Sequence, residues 1–143
     1  MSFDTLGQLN WLAVIVGGVI YFALGALWYH NVLFGRPWQK AIGWDPTTQP
    51  EPQVNPMTYV VPGLAYIVMA VATGMIAKAT GTDTLGEGIV LGLVIGVGYA
   101  LASSLVAAFF TPNSPQPMVL FAITGAYNLI GFLIMAVIVS VWV

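Results

Sequence analysis

The chain has 143 residues, of which 59% are hydrophobic and 6% charged, with a formal net charge of −2 and no cysteine. So few charged groups cannot cover the surface of a water-soluble domain of this size, and the composition places the chain in a lipid bilayer. It excludes disulfides, thiolate metal sites and redox pairs, and its three strong bases, Arg36, Lys40 and Lys78, cannot neutralise a run of phosphates, so nucleic acid is no partner.

A hydrocarbon core of about 30 Å needs about 20 apolar helical residues, because no water is present to satisfy exposed backbone amides. Four windows meet that length. The first covers about 9–29, too long for a signal-peptide core and therefore read as a retained helix. Asn10, Ala13, Gly17, Tyr21, Gly25 and Trp28 share one sector of it. The window ends in the cluster Trp28-Tyr29-His30, an aromatic girdle at headgroup level.

Residues 30–55 form the one long connection. Arg36 and Lys40 alternate there with Trp38 and Trp44, a pattern that suits an interfacial anchor with affinity for anionic lipid. The second window, about 56–79, opens at Asn55-Pro56 and closes at Lys78 and Gly81, and Pro62 inside it predicts a kink. Its shared sector holds Tyr59, Gly63, Tyr66, Ala70, Thr73, Gly74 and Ala77.

The third window, about 85–110, begins with the capping-box spacing Thr84 to Glu87. Gly88, Gly92, Gly96, Ala100, Ser104 and Ala108 recur every four residues, each step precessing by about 40°. Tyr99 and Ser103 fall in the same broad sector, whereas Val90, Leu91, Val94, Val97, Leu101, Leu105 and Phe109 lie opposite it and are expected to face lipid. From Gly88 to Val143 there is no Asp, Glu, Lys, Arg or His. The fourth window, about 117–143, opens at Ser114 and Pro117 and aligns Thr124, Asn128, Gly131 and Met135.

These windows predict an all-α fold, a single-domain integral membrane four-helix bundle with short loops except the 30–55 connection. Short connections make consecutive helices antiparallel neighbours. Lipid tails provide no hydrophobic drive between helices, so small residues serve by permitting close backbone approach. The helix-packing set is Gly17, Gly25, Gly74, Gly88, Gly92, Gly96, Ala100 and Ser104. Together the four sectors predict an internal polar seam of Tyr21, Tyr66, Tyr99, Ser103, Thr124 and Asn128.

Few residues carry chemistry. His30 could ligate a haem or pigment through its imidazole, or decorate the interface beside Trp28 and Tyr29. Asn128 brings two donors and an acceptor into hydrocarbon and must find partners, among Tyr21, Tyr66, Tyr99 or Thr124. It either coordinates a solute or fixes the register of the bundle. No window has an ionisable residue near its centre, which argues against proton-coupled antiport. The sequence requires no cofactor or metal; bound lipid is the expected companion.

The strings Asn10-Trp11-Leu12-Ala13, Trp28-Tyr29, Leu33-Phe34-Gly35 with Trp38 and Gly43, and Gly125-Ala126-Tyr127-Asn128-Leu129 resemble the small bacterial membrane proteins grouped as domain of unknown function 1761. The resemblance implies a four-helix protein of the bacterial inner membrane and carries no activity with it. Arg36 and Lys40 against Lys78 favour a cytoplasmic 30–55 connection with both termini outside.

Two functions compete. The first is a non-catalytic membrane protein acting as a homo-oligomer or as an accessory subunit of a larger complex, its partners being the bilayer and itself or other membrane subunits. The second is a small oligomeric channel or transporter lined by the Tyr, Ser, Thr and Asn seam. A membrane enzyme using His30, Asp45 or Glu51 is a third, lesser reading.

Overall fold

A computed structural model describes residues 2–50 and 55–142. Glu51 lies outside the described residues. Every regular element among them is helical: a 3₁₀ turn at Phe3–Gln8, then α1 (Trp11–Trp28), α2 (Gly35–Ala41), α3 (Met57–Thr80), α4 (Leu85–Ile95), α5 (Ala102–Phe110) and α6 (Pro117–Val141). A π-helical turn, Gly96–Leu101, joins α4 to α5, so Leu85–Phe110 is one continuous span. With α1, α3 and α6 it makes four helices long and apolar enough to cross a membrane. The molecule is an all-α integral membrane protein.

The helix ends are built from local chemistry. The Asn10 side chain accepts from the backbone amides of Leu12 and Ala13 and caps α1. Asn55 accepts from the Met57 amide at 3.0 Å, as a capping side chain does, and Pro56 after it already has helical backbone angles ahead of α3. Thr84 and Glu87 close a reciprocal capping box on α4. Gly81, at φ 66°, ends α3 in the left-handed conformation that a residue without Cβ adopts freely.

Helix α6 is the hub, touching the other three spans. Helices α1, α3 and α6 form a triangle around Val14, Tyr21, Ala70, Ala77, Tyr127, Met135 and Val139. The third span docks on α6. Helices α3 and α4 are consecutive, yet they diverge from the 81–84 turn and leave a groove of about 680 Å³ between Ile76 and Thr80 on one side and Val90, Leu91 and Val94 on the other. The expectation of packed sequence neighbours fails at this pair, because both helices are drawn to α6.

The 30–55 connection is also not a plain loop. It contains α2, whose Trp38 and Ala41 pack with Ile42 against Ala108, Leu120 and Phe121. The Ser114 hydroxyl donates to the Ala41 carbonyl at 2.7 Å, tying α2 to the turn that precedes α6.

Candidate functional site

A hydrogen-bonded cluster lies midway along the spans, where a polar group must find its partners inside the protein. The Tyr21 hydroxyl donates to Asn128 Oδ1 at 2.9 Å and lies 3.2 Å from the Asn128 carbonyl. Asn128 Nδ2 donates to Ser104 Oγ at 2.9 Å, and that hydroxyl donates to the Ala100 carbonyl at 2.7 Å. One amide thereby links α1, α6 and the third span. Tyr127 makes a second set: its hydroxyl lies 3.1 Å from the Tyr21 carbonyl and 2.8 Å from the Tyr66 hydroxyl. With one proton to give, Tyr127 donates to one of these two acceptors at a time.

The rings interlock around these bonds. Tyr21 stands 4.4 Å from Tyr66 and meets Tyr127 and Phe132 edge to face at 5.3 and 5.4 Å. Two glycines make the room. A Cβ on Gly25 would lie 2.8 Å from the Tyr127 hydroxyl, and one on Gly131 would overlap one side of the Tyr21 ring. Tyr21 is 1% exposed. This cluster is a filled, self-satisfied joint, and its chemistry is that of fixing four helices in register.

The other helix-packing residues act by proximity. Gly88, Gly92 and Gly96 bring the third span against Ser140 and Val137, Leu133 and Ala136, and Leu129 of α6 in antiparallel order. Ala100, Ser104 and Ala108 continue the buried stripe. In a straight α-helix six positions at four-residue spacing would wind about halfway round. The π turn adds a residue to one turn and resets the phase, so the stripe stays on α6 from end to end. Gly17 packs on Met135, and Gly74 on Leu9, Val14 and Val139.

Several expectations need correction. Tyr99 and Ser103 do not join the internal seam: Tyr99 is 74% exposed and Ser103 also faces outward, its hydroxyl donating to the Ala100 carbonyl. In an uninterrupted α-helix Tyr99 would stand about 60° from Gly96; the wider π turn carries it further out. Because the span packs mainly on one helix, its buried arc is narrow, and Ser103 falls beyond it. Leu91 is buried, and Leu101 covers Gly125, so neither has the purely lipid-facing place expected of it. On α3 the sector fails at its start: Tyr59 is exposed and Gly63 has no close neighbour.

The aromatic anchor turns inward too. Trp28 Nε1 donates to the Ile123 carbonyl at 3.1 Å, and Tyr29 packs edge to face on Tyr127 and Trp38. Trp38, on α2, and Trp44, after it, are half-buried, and Arg36 and Lys40 are exposed. Thr124 is half-buried on α6. His30 is exposed in the turn after α1, where its Nδ1 accepts from the Val32 amide, leaving Nε2 as the nitrogen open to a ligand. Among the described residues no three His, Cys, Asp or Glu side chains group as metal ligands.

Tyr127 and Gly18 were missed as packing residues. A Cβ on Gly18 would lie 3.2 Å from the Ile67 Cα, marking a close approach of α1 and α3. A one-face reading of α6 selects Asn128 and leaves out Tyr127, about 100° round the helix. The signal available was that a helix touching three neighbours buries more than one face.

The family model described as protein of unknown function DUF1761 matches residues 12–140. The chain belongs to this family. No curated protein and no solved structure matches it. The DUF1761 match begins in the first turn of α1 and ends in the last turn of α6, so it takes in all four spans, α2 and every residue of the tyrosine–asparagine cluster.

Proposed function

We propose that this DUF1761 protein is a non-catalytic component of the bacterial inner membrane that works as a homo-oligomer, its copies meeting through the outer face of the third span. The observation that carries the reading is Tyr99. Its phenol projects from near the midpoint of Leu85–Phe110 and is 74% exposed. Acyl chains offer it no acceptor at that depth, so its hydroxyl demands a neighbouring polypeptide.

The surrounding surface suits such a neighbour. Gly98 has nothing within 4 Å of its Cβ position, and Ala102, one turn on, is exposed. This small-xxx-small pair lets a second helix approach closely, and a two-fold axis would set the same patch against itself, with Ser103 hydroxyls and π-turn carbonyls as acceptors. The internal seam supports a structural role over conduction, because its polar groups are already bonded to one another. An accessory-subunit version uses the same face for a different membrane helix. In either version the side bearing α2 is cytoplasmic and both termini are outside.

The chain has no cysteine, so single introduced thiols report cleanly. Ala102→Cys in native membranes is expected to give a disulfide-linked dimer, and Val68→Cys, equally outward on α3, is expected to stay monomeric. Native mass spectrometry from nanodiscs is expected to show an oligomer that Gly98→Leu dissociates. A monomeric wild-type particle with no partner would overturn the proposal.

A further inference from the structure

A cavity of about 480 Å³ opens beside α2, walled by α2 itself and by the segment that follows it. The fold builds it deliberately from the inside. Trp38 and Ala41 pin one side of α2 to α5 and α6, which leaves Arg36, Gln39 and Lys40 on the free side. Gly43, at φ 79°, ends the helix with a left-handed residue, and the Trp44 amide donates back to the Gln39 carbonyl at 2.9 Å. That reversal brings Trp44 and Asp45 into the lining of the same cavity. Asn31 closes it, accepting from Gln39 Nε2 at 3.4 Å.

The walls carry complementary charge. Arg36 and Lys40 are one helical turn apart and point two cations into one space, where a guanidinium fork and an ammonium suit a phosphodiester. Asp45 uses Oδ1 to accept from the Thr47 amide at 2.8 Å and from the Thr47 hydroxyl at 2.7 Å. Those bonds hold its carboxyl below the usual carboxylate range, so it stays ionised and presents a negative charge to the cavity. Trp44 beside it supplies an aromatic face of the kind that attracts ammonium groups. Depth decides the source of the ligand: α2 follows the end of α1 and packs against the start of α6, at the level of the lipid headgroups.

We infer that this cavity binds the phosphoethanolamine headgroup of a membrane phospholipid, with Arg36 and Lys40 on the phosphate and Asp45 with Trp44 at the ammonium. The site is separate from the third-span face and does not depend on the oligomer.

The test is native mass spectrometry of the full chain released from nanodiscs containing equal phosphatidylethanolamine and phosphatidylglycerol. Wild type is expected to retain phosphatidylethanolamine at least fivefold over phosphatidylglycerol. R36Q/K40Q is expected to lose retention of both lipids at least tenfold, and Asp45→Asn to lose the preference while still retaining phosphatidylglycerol. All three changes are at exposed side chains, and unchanged thermal unfolding establishes that the variants fold. Equal retention of the two lipids by wild type, or retention unaffected by R36Q/K40Q, would overturn the inference.

Discussion

Two halves of this molecule solve the same packing problem by different means. In the triangle of α1, α3 and α6, large rings fill the space and hydroxyls bond across it; between α6 and the third span, glycine and alanine let two backbones approach until little space is left. The first solution tolerates variation in helix spacing but demands that every polar atom be matched. The second demands no polar chemistry and fails as soon as volume or phase changes. Ser104 and Asn128 are where the two meet, one amide reaching from the ring cluster into the small-residue seam.

The largest effect should come from breaking phase. Deleting Val94, which lies in regular α-helix, rotates everything C-terminal to it by about 100° and takes Ala100, Ser104 and Ala108 off α6. No folded protein is expected on gel filtration. Deleting Tyr99 instead removes the extra residue of the π turn and returns the span to α-helix with both stripes in place, and a folded protein is expected. Failure of both deletions alike would deny the phase-resetting role of the turn.

Volume comes next. Gly131→Ala puts a methyl group where the buried Tyr21 ring lies, and overpacking of that kind costs about 3 kcal/mol by reversible unfolding in bicelles. Asn128→Leu tests the polar joint. It removes the link between Tyr21 and Ser104, with an expected loss of about 1–2 kcal/mol, the range of interhelical hydrogen bonds in bilayers. A larger loss from Asn128→Leu than from Gly131→Ala would reverse the ranking of bonding below volume.

The smallest effect has the opposite sign. Ser140 is fully buried against Gly88, and its Oγ has no hydrogen-bond partner among the described residues. Ser140→Ala removes an unmatched hydroxyl without adding volume and is expected to stabilise the protein by about 1 kcal/mol. Destabilisation on the same assay would mean that Ser140 has a partner in the membrane.

The sequence was legible wherever a property belongs to one helix and its solvent. Near-absence of charge and four runs of about 20 apolar residues determine a membrane protein with four spans. The capping box at Thr84 and Glu87 and the left-handed Gly81 follow from local backbone chemistry. The stripe from Gly88 to Ala108 is likewise visible as a spacing, and Asn128 as a cost that needs partners. Tertiary structure alone decided what each face meets. Tyr99 points outward because a single π turn, which no spacing announces, changed the phase of its span. Tyr127 became central because α6 touches three helices and so buries most of its circumference. Trp28 turned from the lipid interface to the Ile123 carbonyl because α6 passes within reach of its indole. Periodicity tells a helix which side is small, whereas the number and position of its neighbours decide which side is inside.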